Sequence, residues 1–418
     1  MTERITRILL TVAFLAGACF VAENAYFLHL AKTEYTLLTT FLSVTVLHLR
    51  IRHALSEFGV LALSTVILMA VASRGDHFPS GIPLSLTLLG LASLTIVAIR
   101  TVWSIASDRS IFFWGFIASL SLVCLGWVIP PLLTWVAAAN PKGFDLYLNS
   151  FDASLHVQPS FLVGRAFLKW SALRHFSIAF YMGITCLCTV VYADQLLRDV
   201  KKALSILIAF LWSGPIGILF YNLFPALGPA YLFGPNFPLR PLPANGIQHM
   251  RLEPVSLYGF PNAMPSLHMT WALLGLWYSR GASWWLRLIA QAFFVFTVLS
   301  TLGTGEHYLA DLVVAFPFSL MIFAIFPLAA TWVDAWRVRA IVFGVAGTIL
   351  WMTLLRFQPS FFWSSPAIPW TLIALTIGVT AALRRRILWA PDLAGSLSAT
   401  SAIELDSTKP LGTDTSAD

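Results

Sequence analysis

The chain has 418 residues and a formal net charge of +7, with 58 % hydrophobic and only 11 % charged residues. Soluble globular proteins carry about 25 % charged residues, so a water-soluble fold of this composition would expose large apolar patches. These figures exclude an ordinary soluble protein and indicate that lipid is the main solvent.

About twelve apolar runs are long enough, or nearly so, to cross a bilayer as helices, since about 20 residues span the hydrocarbon core. The runs are continuous rather than alternating, which favours helices over a β-barrel. The sequence therefore predicts an all-α polytopic membrane bundle of about 12 transmembrane helices. The predicted spans are residues 8–31, 35–49, 58–73, 83–103, 111–137, 176–193, 204–224, 266–280, 284–303, 307–330, 337–355 and 367–383.

The first run follows Arg4 and Arg7, as in a signal peptide, but its apolar character continues past Ala22 to Leu30. This length favours a first membrane helix, and a cleaved signal peptide is the alternative. With a cytoplasmic amino terminus, alternation of the spans puts most of the 26 Lys and Arg residues on the cytoplasmic side. This positive-inside bias explains the net charge without a nucleic-acid partner, and it predicts that both termini are cytoplasmic.

Two predicted external segments, 138–175 and 225–262, are too long for simple turns and too rich in aromatic and aliphatic residues for disorder. Long ordered loops of this kind are usually functional. After Trp389 the composition shifts to Ser, Thr, Ala and Asp, which predicts a flexible cytoplasmic tail over 391–418.

The stretch Pro265-Ser266-Leu267-His268 lies at a predicted external helix start. Proline suits a first helical turn because it has no N–H to leave unpaired. The free amides of a helix amino terminus favour phosphate binding, and the Ser266 hydroxyl is a further hydrogen-bond donor. His268 falls within the same predicted turn.

A second stretch, Gly303 to Asp311, also falls on the external side. Its glycines end one helix, and Thr304 is expected to cap the next. His307 and Asp311 are four residues apart and should share a helix face. The carboxylate can then accept an imidazole N–H and leave the other nitrogen free as a nucleophile. The alternative is that His268 and His307 are ordinary polar residues at the membrane interface, which is the interpretation given to His29 and His48. Against this alternative, an acidic residue such as Asp311 inside a membrane segment is by default functional.

Together with Asn222–Tyr231, these stretches resemble the type 2 phosphatidic acid phosphatase superfamily. The closer likeness is to the branch of fungal inositol phosphorylceramide synthases and their bacterial relatives, which have Pro-Ser-Leu-His and a histidine four residues before an aspartate. The segment with Asp145 and Asp152 also looks like this branch. The likeness covers 111–330 as a six-helix core, leaving a four-helix extension at 1–110 and two helices at 331–390.

The resemblance implies that His307 attacks phosphorus to form a phosphohistidine, that His268 protonates the leaving group, and that Asp311 orients His307. It implies a membrane lipid phosphatase or phosphotransferase, inositolphosphotransferase-like, with no cofactor and no metal. The substrate would be a phosphorylated or phosphodiester lipid at the external face of a bacterial plasma membrane. The alternative is an inactive transporter or scaffold that keeps the core fold.

The sequence departs from the superfamily pattern at three basic phosphate ligands. The first signature, with its Lys and Arg-Pro, is absent; Ala230 replaces an expected arginine; and Ser300-Thr301 replaces Ser-Arg. Phosphate binding is therefore predicted for Ser266 together with Arg240 and Arg251, two loop arginines ahead of His268. The alternative is that both arginines are ordinary surface charges.

Overall fold

A computed structural model describes residues 2–23, 40, 43–44, 54–72, 82–256, 258–326 and 334–407. Most of the predicted second span, 35–49, lies outside these ranges, as do His29, His48 and the last residues of the tail. Side chains are described as far as residue 387.

The described chain is almost entirely helical, as the composition predicts. The helices before the first long external segment are α1 (Thr2–Glu23), α2 (Ala54–Ala72), α3 (Ile82–Trp103) and α4 (Ala106–Ala139). The following helices are α5 (Asp145–Ser154), α6 (Pro159–Lys169), α7 (Ser171–Met182), α8 (Ile184–Leu196), α9 (Val200–Leu223), α10 (Pro229–Phe233) and α11 (Ala244–His249). The remaining helices are α12 (Leu267–Tyr278), α13 (Trp284–Gly303), α14 (Leu309–Ile325), α15 (Ala335–Phe357) and α16 (Ala367–Ser407), and short 3₁₀ turns cover Gly234–Asn236 and Pro359–Trp363.

Six of the described helices are long and apolar enough to cross a membrane, and the bent pair α7–α8 makes a seventh if it is one span. Shorter apolar helices cover Phe58–Ala72, Thr87–Trp103 and Leu309–Ile325. The polytopic all-α bundle is therefore confirmed. The count of twelve spans is not, because several predicted spans are short helices and one lies mostly outside the described residues.

The main core joins α8, α9, α12, α13 and α14, with α14 also packing against α15 and α16. Helices α1, α2 and α3 form a separate apolar cluster that continues onto α4, and α4 packs against α9. The region predicted as a six-helix core thus contains α4, α7–α8, α9, α12, α13 and α14 as its apolar helices.

The two long segments that are predicted to be external, 138–175 and 225–262, are folded against each other. A two-residue strand β1 (Lys142–Gly143) pairs antiparallel with β2 (Val255–Ser256), with Lys142 opposite Ser256. Helices α5 and α6 occupy the first segment, and α5 contacts α11 of the second. These contacts bring the two segments together above the helices that carry the histidine motifs.

The carboxyl-terminal helix α16 continues to Ser407, so residues 391–407 are helical where the composition predicts an irregular tail. Alanine, leucine and glutamate in this stretch are good helix formers, and no proline follows Pro391 before Ser407. The flexibility of this end stays a prediction.

Candidate active site

His307 lies in the turn between α13 and α14. The sequence predicts a helix from residue 307 with Thr304 as its cap; instead α14 begins at Leu309, and Thr304 ends α13 by donating its hydroxyl to the Ser300 carbonyl at 2.8 Å. Gly305 takes a positive φ of 76° in this turn. The His307 amide then donates to the Thr301 carbonyl at 3.1 Å. The turn replaces the predicted helical start and fixes the backbone on both sides of His307.

The imidazole of His307 is buried between the two motifs. Its Nε2 atom lies 3.1 Å from the Ser266 Oγ atom, and its Nδ1 atom lies 3.5 Å from the Asp311 Oδ2 atom. Both neighbouring residues are fully buried. The predicted pairing of His307 with Asp311 is therefore present, although it arises across the first turn of α14 and not along one helix face.

Asp311 has two roles at the start of α14. Its Oδ2 atom accepts the Tyr308 amide at 2.8 Å, which satisfies one of the free N–H groups of the helix start. The same oxygen faces the His307 Nδ1 atom. At 3.5 Å, the contact with the ring is longer than an ordinary hydrogen bond, whereas the contact with the Tyr308 amide is not.

Ser266 connects the two motifs through its backbone as well as its hydroxyl. Its amide donates to the Asp311 carbonyl at 3.3 Å, and its Oγ accepts the Met269 amide at 3.4 Å as the cap of α12. The helix begins after the predicted position, so Pro265 precedes the cap and is not in the first turn.

These contacts favour one neutral tautomer of His307. The Ser266 Oγ already accepts the Met269 N–H, so its own proton is free to be donated to Nε2. Nε2 is then unprotonated, and the ring proton sits on Nδ1, facing Asp311. An unprotonated Nε2 next to a hydroxyl is the arrangement that a nucleophilic imidazole needs.

His268 lies two residues after Ser266 in the first turn of α12. Its ring stacks on Tyr181 with 3.9 Å between centroids, and Trp271 lies 6.0 Å away. Within the described part of the chain the ring makes no hydrogen bond. The structure therefore places His268 on the same turn as Ser266, with its ring against an aromatic wall and both nitrogens available.

The stretch that opens the second external segment packs directly onto the His307 turn. Gly228 has a φ of 128°, and a Cβ atom there would lie 2.4 Å from the Glu306 carbonyl oxygen. The Ala230 amide donates to the Gly305 carbonyl at 2.9 Å. Ala230, where the related branch has an arginine, thus lies beside the turn that carries His307.

Two buried aspartates of helix α5 accept hydrogen bonds from the Gly228 turn and from the start of α14. Asp145 Oδ1 accepts the amides of Gly228 at 2.8 Å and Leu227 at 3.1 Å, and Asp152 Oδ2 accepts the Leu309 amide at 3.0 Å. Burial raises the pKa of Asp145 to about 6 and the pKa of Asp152 to about 8, and the accepted N–H groups partly offset this. These carboxylates fasten α5 to the site.

Arg240 and Arg251 are not beside His307 in this structure. Arg251 is 91 % exposed and pairs with Glu253 at 3.1 Å, and Arg240 is exposed as well. Within the described ranges, His307, Ser266 and Asp311 form no ion pair with a lysine or arginine. The predicted role of the two arginines as phosphate ligands stays a prediction.

An open pocket of about 280 Å³ lies between α5 and the second external segment. Asp145 and Leu227 form part of its wall, and Tyr231, Ser256 and Tyr258 also line it. Among the residues that the structure describes, no group of three or more His, Cys, Asp or Glu side chains is arranged to hold a metal ion.

The sequence does not predict the contacts of Ser160 with His307, of Tyr181 with His268, or of Gly228 with Glu306. It also predicts no role for Asp145 and Asp152. A signal was present for the two aspartates: seven residues apart, they share one face of a helix, and their neighbours are mostly apolar. Ser160 and Tyr181 carry no comparable signal, because a lone hydroxyl or ring in an apolar segment is ordinary.

Comparisons with known proteins give one match. No curated protein and no solved structure matches the chain. A family model matches one segment, which begins inside α5 and ends at the last residue of α14. This segment contains Asp152, Ser266, His268, His307 and Asp311. Residues 146–325 match the family model of the PAP2 superfamily, which generally comprises phosphatases and phosphotransferases.

Proposed function

We propose that this membrane protein is a lipid phosphatase or phosphotransferase that works through a phosphohistidine at His307. The single observation that supports this best is the position of the Nε2 atom of His307, 3.1 Å from the Ser266 hydroxyl, with Asp311 behind the opposite nitrogen. A buried imidazole held between a hydroxyl donor and a carboxylate is suited to nucleophilic attack.

In the first step, Nε2 of His307 attacks the phosphorus atom of the bound phosphoryl group. An N–P bond forms as the bond from phosphorus to the leaving oxygen breaks, and His268 gives that oxygen a proton. The Ser266 hydroxyl turns from Nε2 to a phosphoryl oxygen, where the amides at the start of α12 add positive potential. Asp311 stabilises the charge that develops on the ring.

In the second step, an acceptor hydroxyl attacks phosphorus and the N–P bond breaks. His268, now unprotonated, takes the proton of the acceptor. Water as the acceptor gives a phosphatase, and the hydroxyl of a lipid or a sugar gives a phosphotransferase. The motifs are compatible with either acceptor, and in both cases the proposed donor is a phosphorylated or phosphodiester lipid at the external membrane face.

The proposal is tested with the purified full chain in detergent or vesicles, using a lipid phosphate and a phosphate ester with a strongly acidic leaving group. His307→Ala is expected to abolish turnover of both substrates. His268→Ala should abolish turnover of the lipid and slow steady-state turnover of the activated ester. It should keep a near-normal initial burst of leaving group from that ester, because the leaving group needs no proton while the acceptor in the second step still has to lose one. Equal turnover in wild type and both variants would end the catalytic assignment.

One observation favours the alternative of an inactive transporter or scaffold. The catalytic groups lack an arginine or lysine partner among the described residues, and phosphoryl transfer depends on charge stabilisation. If Arg240 and Arg251 supply it, the second external segment must move towards His307 when substrate binds. Arg251→Ala is then expected to raise KM more than Arg240→Ala does, and an unchanged KM in both would remove them from the site.

A further inference from the structure

The first external segment contacts the backbone immediately around His307. Asp152 of α5 accepts the Leu309 amide at 3.0 Å, and Ser160 at the start of α6 donates its hydroxyl to the His307 carbonyl at 3.0 Å. The two contacts bracket Tyr308, so the peptide groups on both sides of that residue are held from outside the motif. Both Asp152 and Ser160 are buried.

The same helix also holds the opposite side of the turn. Asp145 accepts the Gly228 amide at 2.8 Å, and Gly228 lies directly against the Glu306 backbone. The His307 turn is therefore enclosed between α14, the Gly228 turn and the α5–α6 segment. Asp145 of α5 contacts the Gly228 turn, and Asp152 of α5 contacts α14.

A rigid backbone is important for the position of His307, because the contact of its ring with Asp311 is weak. The Nδ1 atom of His307 lies 3.5 Å from Asp311 and has no hydrogen-bond partner among the described residues. Asp311 alone therefore does not fix the ring. A misplacement of about 1 Å at a reacting group can cost on the order of 100-fold in rate.

We propose that Asp152 and Ser160 are positioning residues that hold the His307 turn in its reactive geometry from the first external segment. This rests on the proposed function of His307 as the nucleophile. Neither residue touches the reacting atoms; each acts through a backbone group within two residues of His307. The catalytic unit thus includes the α5–α6 segment as well as the two histidine motifs.

The test compares Asp152→Ala, Asp152→Asn and Ser160→Ala with a matched control, Asp194→Ala. Asp194 is also a buried aspartate, but it pairs at 2.9 Å with Arg198, which lies just beyond the end of α8. Asp152→Ala is expected to lower kcat about 10- to 100-fold with KM changed less than about twofold. Asp152→Asn keeps an oxygen acceptor for the Leu309 amide and should retain kcat within a few-fold.

Ser160→Ala should lower kcat in the same way, and Asp194→Ala should lower the melting temperature without changing kcat of the folded protein. The positioning role would be overturned by a wild-type kcat in Asp152→Ala. It would also be overturned by an equal loss in Asp152→Ala and Asp152→Asn, because the Leu309 contact would then not be the cause.

A second readout needs no substrate. The rate at which diethyl pyrocarbonate modifies His307, followed by peptide mass spectrometry, is expected to rise several-fold in Asp152→Ala and to stay near the wild-type rate in Asp152→Asn. An unchanged rate in Asp152→Ala contradicts the positioning role even if the wild type shows no turnover. Absent turnover with the expected change in modification rate would instead contradict only the proposed function.

Discussion

The Oγ atom of Ser266 lies 3.1 Å from the Nε2 atom of His307, although the two residues are 41 positions apart in the chain. The contact joins the first turn of α12 to the turn before α14. It also places the hydroxyl where a phosphoryl oxygen would lie when Nε2 attacks phosphorus. This pair therefore sets the geometry on which the predictions below depend.

Removing the Ser266 hydroxyl should damage catalysis more than stability. Ser266→Ala loses the cap of α12, which costs about 0.5–2 kcal/mol, and loses a donor to the phosphoryl group, for which a cost of about 100-fold in kcat is typical. Ser319→Ala is the control, because among the described residues that buried hydroxyl bonds only to the Ala315 carbonyl within α14. An equal loss of activity in both variants would contradict a catalytic role for Ser266.

The carboxylate of Asp311 should be needed for the tautomer of His307. In Asp311→Asn the side-chain oxygen can still accept the Tyr308 amide, so α14 keeps its start. The neutral amide no longer stabilises a positive ring, and we expect kcat to fall by about 10²- to 10⁴-fold. Asp334→Asn, which alters the cap of α15, should leave kcat unchanged. A kcat near wild type in Asp311→Asn would show that His307 needs no orienting carboxylate.

Gly228 should tolerate no side chain because of close packing as well as backbone conformation. A Cβ atom at Gly228 would lie 2.4 Å from the Glu306 carbonyl oxygen, and the backbone has a φ of 128°. Gly228→Ala must displace the His307 turn, so a large loss of kcat is expected together with a lower melting temperature.

A substitution at Gly281 distinguishes the effect of backbone conformation from the effect of close packing. It also has a positive φ, 85°, but a Cβ atom there meets nothing within 4 Å. Gly281→Ala should therefore cost about 1 kcal/mol of stability from backbone strain alone and keep wild-type kcat. If Gly228→Ala behaved like Gly281→Ala, the close packing on Glu306 would have no functional consequence.

Asp152 should make the folded protein less stable as the pH rises. Its pKa is raised to about 8, chiefly by burial and also by the charge of Asp311, and the Leu309 amide offsets part of this rise. An aspartate in an unfolded chain titrates near 3.9. Between about pH 4 and pH 8 the folded state keeps a proton that the unfolded state releases, so the free energy of unfolding falls with rising pH, by at most about 1.4 kcal/mol per pH unit.

The measurement is the apparent melting temperature of wild type and Asp152→Asn at several values between about pH 6 and pH 8. Asp145, with its pKa of about 6, titrates at the lower end of this window in both proteins alike, so the difference between the two proteins reports Asp152. We expect a shallower decline in the variant. The same slope in both proteins would mean that Asp152 is already ionised near neutral pH.

The sequence predicts that His307 and Asp311 are neighbours, because an imidazole and a carboxylate four residues apart can meet. It does not predict the turn before α14 in which they meet. His307 and Asp311 were expected to be neighbours on a helix, and they are neighbours across a helix start, since a separation of four residues is short in both cases. The expected cap at Thr304 was wrong because its hydroxyl bonds back to Ser300.

Contacts between distant segments were the part that the sequence could not provide. The bond from Ser160 to His307 spans 147 positions, and the bond from Asp152 to Leu309 spans 157. Neither involves a residue type that is unusual in its local sequence. The count of twelve spans stays a prediction, because hydropathy does not separate a short apolar helix such as α12 from one that crosses the bilayer.

The most direct measurement of the account is a rapid-quench labelling experiment with a phosphorus-labelled lipid phosphate. Wild type should acquire a label that is labile to acid and stable to base, on the peptide that contains His307. His268→Ala should form the same adduct more slowly from the lipid and near normally from an activated ester, and His307→Ala should acquire none. Labelling of His307→Ala at the wild-type level, or no adduct in a wild-type protein that turns over substrate, would contradict the phosphohistidine.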